Sequence, residues 1–361
     1  MIPAYRMIIN DVSEKINSGF YKQGEKLPSE SQFSEEFSTS RITVTRALSE
    51  LELKGVIYKV KGKGSFVSEN TIIRNKIISL IIPHKADFFS GGQQYIRCVY
   101  KYCKKAGYLC SVHYSEQSST REREILEELM NHSIAGVILY PINSSNIDSI
   151  SQLLIKGCPI VLLDRKLEEI DIPVVESNNL TGAYSAVQYM ISMGHQKIAF
   201  IGELDSYSAK ERYKGYCRAL YDNKIVIDKK IVFSNYSREY QQDKQHILNK
   251  ENALKIVDAI EHNFENITAL FCINDYVAFI ITEALQEKGI MIPENISICG
   301  FDNLHYFPQK SFHLATVEQD FSTIGKTSVE LLIKLINGEK DILMDNIIDT
   351  QLIKGQTVKK V

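Results

Sequence analysis

The chain has 361 residues, 44% hydrophobic and 24% charged, the make-up of a globular protein too long for one ordinary core. No run approaches the roughly 18 apolar residues of a membrane span and the N-terminus lacks the apolar core of a secretory signal, so a cytoplasmic protein without a membrane partner is expected. A formal net charge of −2 excludes a globally basic coat for nucleic acid and leaves only a local patch. Seven cysteines (98, 103, 110, 158, 217, 272, 299) include no Cys-x-x-Cys and no zinc-type spacing, which predicts buried reduced thiols and no metal.

Ile8, Val12 and Ile16 recur every four residues before Ser18-Gly19 and predict a first helix. Ser29-x-x-Gln32 reads as a capping box for a second, carrying Phe33 and Phe37 one turn apart. Ser40 is placed to cap a third, in which Val44, Ala47, Leu48 and Leu51 form one apolar stripe up to Lys54-Gly55. Val56 to Val60 and Ser65 to Val67 then predict two strands, joined by the basic, glycine-rich tip Lys61-Gly62-Lys63-Gly64. Three helices and a basic hairpin make a winged helix-turn-helix. The polar start of helix three, Arg41, Thr43, Thr45 and Arg46, is where a recognition helix meets base edges. Lysines 54, 59, 61 and 63 occur with no acid between Leu53 and Ser68, which segregates positive charge toward the wing.

Over about residues 3 to 67 the chain resembles the GntR family of bacterial regulators. The resemblance rests on Leu27-Pro28-Ser29-Glu30, Ser40-Arg41-x-Thr43-Val44, Ala47-Leu48, Leu51, Gly55 and Gly62-x-Gly64-Ser65-Phe66-Val67. It implies that Arg41, Gly62 and Gly64 approach double-stranded operator DNA, and Ser40, Thr43, Thr45, Arg46, Lys61 and Lys63 complete the expected DNA-binding set. The family pattern Ser-Arg-x-Thr-Val-Arg is broken here by Thr45, with Arg46 following it. A one-residue shift turns a helical side chain by about 100°, so Arg46 faces elsewhere.

From Lys76 the chain alternates strand-length apolar runs (77–82, 134–140, 160–163, 198–201, 269–273, 296–301) with helix-like stretches such as Glu122 to Met130 and Tyr276 to Lys288. That alternation predicts an α/β architecture with a parallel sheet covered by helices, and its size favours two lobes with a cleft. In such folds ligands bind beyond the carboxyl ends of strands. The residues there are polar: His84, Lys85 and Asp87 with Phe88 and Phe89; Asp164 and Arg165; Asn274 and Asp275; Asp302 and Asn303. Carboxylates, amides and a guanidinium match hydroxyl groups, and an aromatic ring packs on a sugar face. Asp and Asn at such positions also cap helices, a second reading open to Asn274.

Over about residues 75 to 355 the chain resembles the LacI and GalR sensor domains. The matching stretches are Val161-Leu162-Leu163-Asp164-Arg165, Asn179-x-x-Gly182-Ala183, Gly194-His195-x-x-Ile198-Ala199-Phe200-Ile201-Gly202, Arg212-x-x-Gly215-Tyr216, Asn274-Asp275-x-x-Ala278, Gly300-Phe301-Asp302 and Thr316-Val317-x-Gln319. The resemblance implies a periplasmic-binding-protein-like (type I) fold with ligand contacts at Asp164, Arg165, Arg212, Asn274, Asp275, Asp302 and Gln319, to which the strand-end reading adds Phe88 as the aromatic contact. His195 is expected to be a structural turn residue. The expected division is a winged helix-turn-helix at 1–70, a linker at 71–75 and an effector-binding and dimerisation domain at 76–361. Its first lobe takes in about 76–176 and 318–345, and its second about 177–317 and 346–361. The joined pair, with the opening Met1-x-Pro3-x-Tyr5, is similar to sugar-responsive repressors of pentose use. It implies a homodimer on a palindromic operator released by a monosaccharide, L-arabinose or another pentose first among them. Two rivals are weighed against this. One is a regulator answering a non-sugar effector or co-repressor. The other is an enzyme using Asp275 and Asp302 as an acid/base pair with His305 or His313. The chain has no Gly-x-Ser-x-Gly and no Gly-x-Gly-x-x-Gly opening a helix, so no catalytic residue and no cofactor are expected.

Overall fold

The computed structural model describes residues 3–17, 19–68, 76–83, 91–234, 248–263, 267–304, 313–339 and 341–361. Helices α1 (Ala4–Asn17), α2 (Glu30–Glu36) and α3 (Arg41–Leu53) precede an antiparallel hairpin of β1 (Ile57–Val60) and β2 (Gly64–Val67). The spacing read from sequence places Ile8, Val12 and Ile16 of α1 against Phe33, Val44, Ala47, Leu48, Leu51 and Val67 in one core. Burying the three α1 residues alone contributes on the order of 5 kcal/mol. The Ser29 capping box is closed from both sides, and Ser40 accepts the Thr43 amide at 3.3 Å. The wing turns through Lys63 N donating to Val60 O at 2.9 Å, with Gly62 at φ +76° and Gly64 at φ +111°. Both angles lie where an L side chain is strained, and a Cβ on Gly64 would also meet the Lys26 side chain at 3.1 Å.

The remaining chain runs β3 (Ile77–Ile82), α4 (Gly91–Lys105), β4 (Leu109–Tyr114), α5 (Ser119–Leu129), β5 (Gly136–Leu139), α6 (Ile147–Ile155), β6 (Ile160–Leu163) and β7 (Val174–Ser177). It continues through α7 (Asn179–Ser192), β8 (Ile198–Ile201), α8 (Tyr207–Asp222), β9 (Val232–Phe233), α9 (Lys250–Asn263), β10 (Ala269–Cys272), α10 (Asp275–Glu287) and β11 (Ser297–Cys299). It ends with β12 (Thr316–Gln319), α11 (Phe321–Ile336), β13 (Asp345–Ile348) and β14 (Thr350–Ile353). One parallel sheet has the order β13-β7-β6-β5-β3-β4 and the other β11-β10-β8-β9. Each has its own apolar packing, α4 and α11 covering one face of the first sheet, and α7 to α10 enclosing the second. The six predicted apolar runs all become strands. Those at 134–140 and 296–301 are shortened, because the ladder stops where no partner strand continues.

Between the sheets the chain passes three times: from Ser177 into α7, along the antiparallel pair β12-β14, and from β13 into β14. β7 to Ser177 and β13 to Ile348 belong to the first sheet, whereas Val317 and Val358 pack in the core of the second. The strands β4, β7, β9 and β12 to β14 were not anticipated from sequence. They are short, at edges or between lobes, and mix polar with apolar residues. All seven cysteines are free thiols, but only Cys103, Cys272 and Cys299 are fully buried. The other four are half-buried, a correction to the expectation of buried thiols; Cys98 lies on a surface helix and Cys110 on an edge strand. Among the described residues no helix is long and apolar enough to cross a membrane.

Candidate functional site

Two polar regions stand out, one on the winged helix and one between the two sheets. On the first, Arg41, Lys61 and Lys63 are exposed and carry no ion pair or side-chain hydrogen bond among the described residues. Lys26, overlooked in the sequence, joins them, its ammonium 3.9 Å from where a Gly64 Cβ would lie. By contrast Lys59 is engaged by Glu52 and Ser49, and Lys54 by Glu50. The Ser40 hydroxyl is taken up by its capping role and by Thr43 Oγ1 at 2.9 Å. The Thr45 hydroxyl donates back to Arg41 O at 2.8 Å, the habit of a mid-helix threonine. Arg46 lies over the Tyr5 ring at 4.2 Å, tying α3 to α1.

In the second region, β6 ends at Leu163 and Asp164 takes φ +65°, which turns its carboxylate inward; it is 3% exposed. Asp164 Oδ1 accepts the Tyr95 hydroxyl of α4 at 2.6 Å. Arg165 donates to the carbonyls of Pro141 and Ile142 at 3.2 and 3.0 Å and lies over Tyr140, while its Nε is buried without a partner among the described residues. From the other lobe, Arg212 of α8 donates to Asn179 Oδ1 at 2.8 Å and Ile273 O at 2.7 Å, and its guanidinium stacks 3.7 Å over Phe301. It pairs with Asp302 at 3.2 Å. Asp302 in turn accepts Gln319 Nε2 at 2.6 Å, and Gln319 Oε1 accepts Ser177 Oγ at 2.5 Å.

The Tyr95 hydroxyl also lies 3.4 Å from Gln319 Oε1, so Asp164, Tyr95, Gln319, Asp302, Arg212 and Asn179 form one chain of polar contacts from the first lobe through β12 to the second. Burial pushes the Asp302 carboxyl up to about 6, against the opposing pull of Arg212. Asp275 is fully buried, Oδ1 accepting Thr316 Oγ1 at 2.6 Å and Oδ2 the Leu304 amide at 2.7 Å. Gly300 permits this, since a Cβ there would sit 2.1 Å from Asp275 Oδ1. With both oxygens hydrogen-bonded, Asp275 anchors the strand end that presents Asp302. Asn274 caps α10, its Oδ1 accepting the Val277 amide at 2.9 Å. His195 is buried between Thr268 Oγ1 at 2.8 Å and Lys359 O at 3.1 Å, as a structural turn residue should be.

The structure therefore brings Asp164, Arg165, Arg212, Asp302 and Gln319 together, with Asn274 and Asp275 directly behind. Phe88, with His84, Lys85, Asp87 and Phe89, lies outside the described residues, as does His305. Sequence reasoning missed three side chains here. Tyr95 and Asn179 sit on helices, where nothing in the local pattern marks an inward hydroxyl or amide. The third, Glu176 on β7, is 6% exposed, and its side chain has no hydrogen bond or ion pair among the described residues. Burial, then Asp164, Glu211 and Asp345, push its carboxyl up to about 8.

Residues 4–67 match the bacterial regulatory proteins of the gntR family, and residues 187–358 match a periplasmic binding protein-like domain. The chain is 26% identical to the arabinose metabolism transcriptional repressor of Geobacillus stearothermophilus, over 100% of this chain and 99% of that protein. It is 29% identical to the HTH-type transcriptional repressor PurR of Vibrio atlanticus, over 74% of this chain and 76% of that one. Among solved structures, a periplasmic binding protein/LacI transcriptional regulator from Alkaliphilus metalliredigens, complexed with D-xylulofuranose, superposes with a TM-score of 0.62 at 27% identity. It covers 79% of this chain and 99% of that one.

Proposed function

Because the chain joins a gntR-family winged helix-turn-helix to a periplasmic-binding-protein-like α/β domain of LacI type, we propose that it is a sugar-responsive transcriptional repressor. Its winged helices bind a palindromic operator as a homodimer, and a monosaccharide, with pentoses the first candidates, releases it. The observation that carries the effector reading is the interlobe set Asp164, Arg165, Arg212, Asp302 and Gln319. Two carboxylates against two guanidiniums leave no uncompensated charge for an anion, while their free lone pairs and N–H groups suit a polyol. The relatives named for arabinose metabolism and the neighbour complexed with a ketopentose agree with a pentose.

The mechanism follows from the three crossings between lobes. A sugar bridging Asp164 and Arg165 on one side to Asp302 and Arg212 on the other favours one interlobe angle. Through β12 and α11 that choice reaches the first lobe, to which the winged helix is joined. A coupling of about 1 to 3 kcal/mol between sugar and DNA is enough for a useful switch. The test is calorimetric titration of the full chain with a panel of pentoses and hexoses, followed by operator affinity at fixed salt with and without the binder. No heat from any sugar would sink the sugar reading; binding that leaves DNA affinity unchanged would sink induction.

The DNA face makes a separate prediction. Arg41→Ala is expected to weaken binding to a duplex selected by the parent from a random pool by roughly tenfold and to relax its preference. Lys61→Ala and Lys63→Ala should instead flatten the salt dependence, each removing about one phosphate contact from the slope. Filter binding across a salt series separates the two, and parent-like affinity for Arg41→Ala would take that residue out of the reading set.

A further inference from the structure

We infer that Ile42 and Thr45 of α3 read thymine by its 5-methyl group, an apolar contact set within the polar DNA face. The inference rests on the DNA-binding half of the function proposed above and is independent of the effector.

Ile42 follows Arg41 in the first turn of α3 and is 83% exposed, although its side chain is large and β-branched. Val44, Ala47, Leu48 and Leu51 already fill the apolar face of this helix and pack in the domain core. Ile42 stands outside that stripe. Thr45, three residues on, lies on the same outward ridge and is exposed. Its hydroxyl donates to Arg41 O at 2.8 Å, so the γ-methyl is the group it has left to offer. Arg46, the next outward side chain, is drawn over the Tyr5 ring at 4.2 Å. The ridge at the N-terminal end of α3 therefore presents methyl groups. Leu53, the other exposed large apolar residue of α3, is about 16 Å further along, at the far end of the helix.

Charge says what covers this ridge. Arg41 beside it, with Lys61 and Lys63 on the wing, are exposed cations without an ion pair among the described residues, and Lys26 stands against the wing glycine Gly64. A polyanion compensates them, whereas an apolar protein partner would leave them unpaired. The major groove of DNA offers one apolar group on its base edges, the thymine 5-methyl, and the first residues of a recognition helix are those that reach these edges. Burying one methyl there is worth about fourfold in affinity. Arg41 supplies charge and N–H donors and is blind to a methyl, so the ridge adds information that the cations cannot.

The experiment uses the full chain and a duplex that the parent selects from a random pool. Each thymine is replaced singly by deoxyuridine, which removes only the 5-methyl, and affinity is measured at fixed salt. Uracil is expected to weaken parent binding about fourfold at two neighbouring thymines of the recognised sequence. Ile42→Ala should bind thymine and uracil duplexes equally at one of them, while Ile42→Val keeps most of the difference. Thr45→Ser retains the hydroxyl that bonds to Arg41 O, loses only the methyl, and should erase the difference at the other. Both side chains are exposed and uncharged, so thermal unfolding and the salt slope should stay as in the parent. Uracil that changes affinity nowhere, or a penalty undiminished in both Ile42→Ala and Thr45→Ser, would overturn the inference while DNA binding stands. A parent chain that enriches no duplex would overturn it together with the DNA-binding reading.

Discussion

Arg212→Ala is expected to destabilise the α/β domain by about 3 to 5 kcal/mol and to abolish any response to sugar. Arg212 is 7% exposed and makes four contacts at once: Asn179, Ile273 O, Asp302 and the Phe301 ring. Deleting it leaves Asp302 buried with Gln319 as its remaining partner and orphans the Ile273 carbonyl, so the cost is that of unpaired polar groups rather than of one ion pair. Arg212→Lys keeps the charge but lacks the planar fork that reaches Asn179 and Ile273 O together, and is expected to recover less than half the loss. Urea unfolding followed by circular dichroism, with calorimetry on the same preparations, checks both effects. An Arg212→Ala chain as stable as the parent would show that this guanidinium does not hold the second lobe's side of the site together. The winged helix has its own core, and its transition should be unaffected.

Glu176→Gln should flatten the stability profile between pH 6.5 and 8.5, removing a loss of about 2 kcal/mol that the parent shows across that window. With its carboxyl at about 8 in the folded chain and an ordinary value of 4.5, Glu176 is protonated in the native state where the unfolded chain has already lost the proton. The native state therefore binds more protons over that window, and stability falls as pH rises from 4.5 through 8. Three other groups act lower down. Asp302, raised to about 6, contributes in the same direction between 3.8 and 6. His113 and His195, both lowered by burial, act with the opposite sign and only below their ordinary 6.5. The difference between parent and Glu176→Gln from pH 6.5 to 8.5 isolates Glu176, because the other titrating groups are common to both chains. At 1.36 kcal/mol per unit, the slope over the part of this window below 8 amounts to about 2 kcal/mol. Thermal unfolding of parent and variant at the two ends checks it. Parallel curves would place the carboxyl in water.

The winged helix was legible almost residue by residue, because its signals are local. The 3.6-residue stripe from Val44 to Leu51, the reciprocal Ser29–Gln32 cap and the glycines of the wing act over four or fewer residues, and the structure repeats them. The strands of the α/β domain were legible for a related reason: a central parallel strand is apolar on both faces. Edge and hinge strands such as β4, β13 and β14 are wetted on one side, and their sequences do not announce themselves.

What the amino-acid order determined was therefore the two-module plan and the polar strand ends at Asp164, Asn274 and Asp302. Tertiary structure alone decided which of those polar groups remain available. Asn274 takes the helix cap that its own sequence already offered, whereas Asp275 reads like Asp302 in the chain and burial spends it on Thr316 and the Leu304 amide. Arg46 is taken by Tyr5 on α1. Such assignments depend on partners roughly 29 to 41 residues away in sequence, set by how helices cross and sheets meet, and a local pattern cannot carry them.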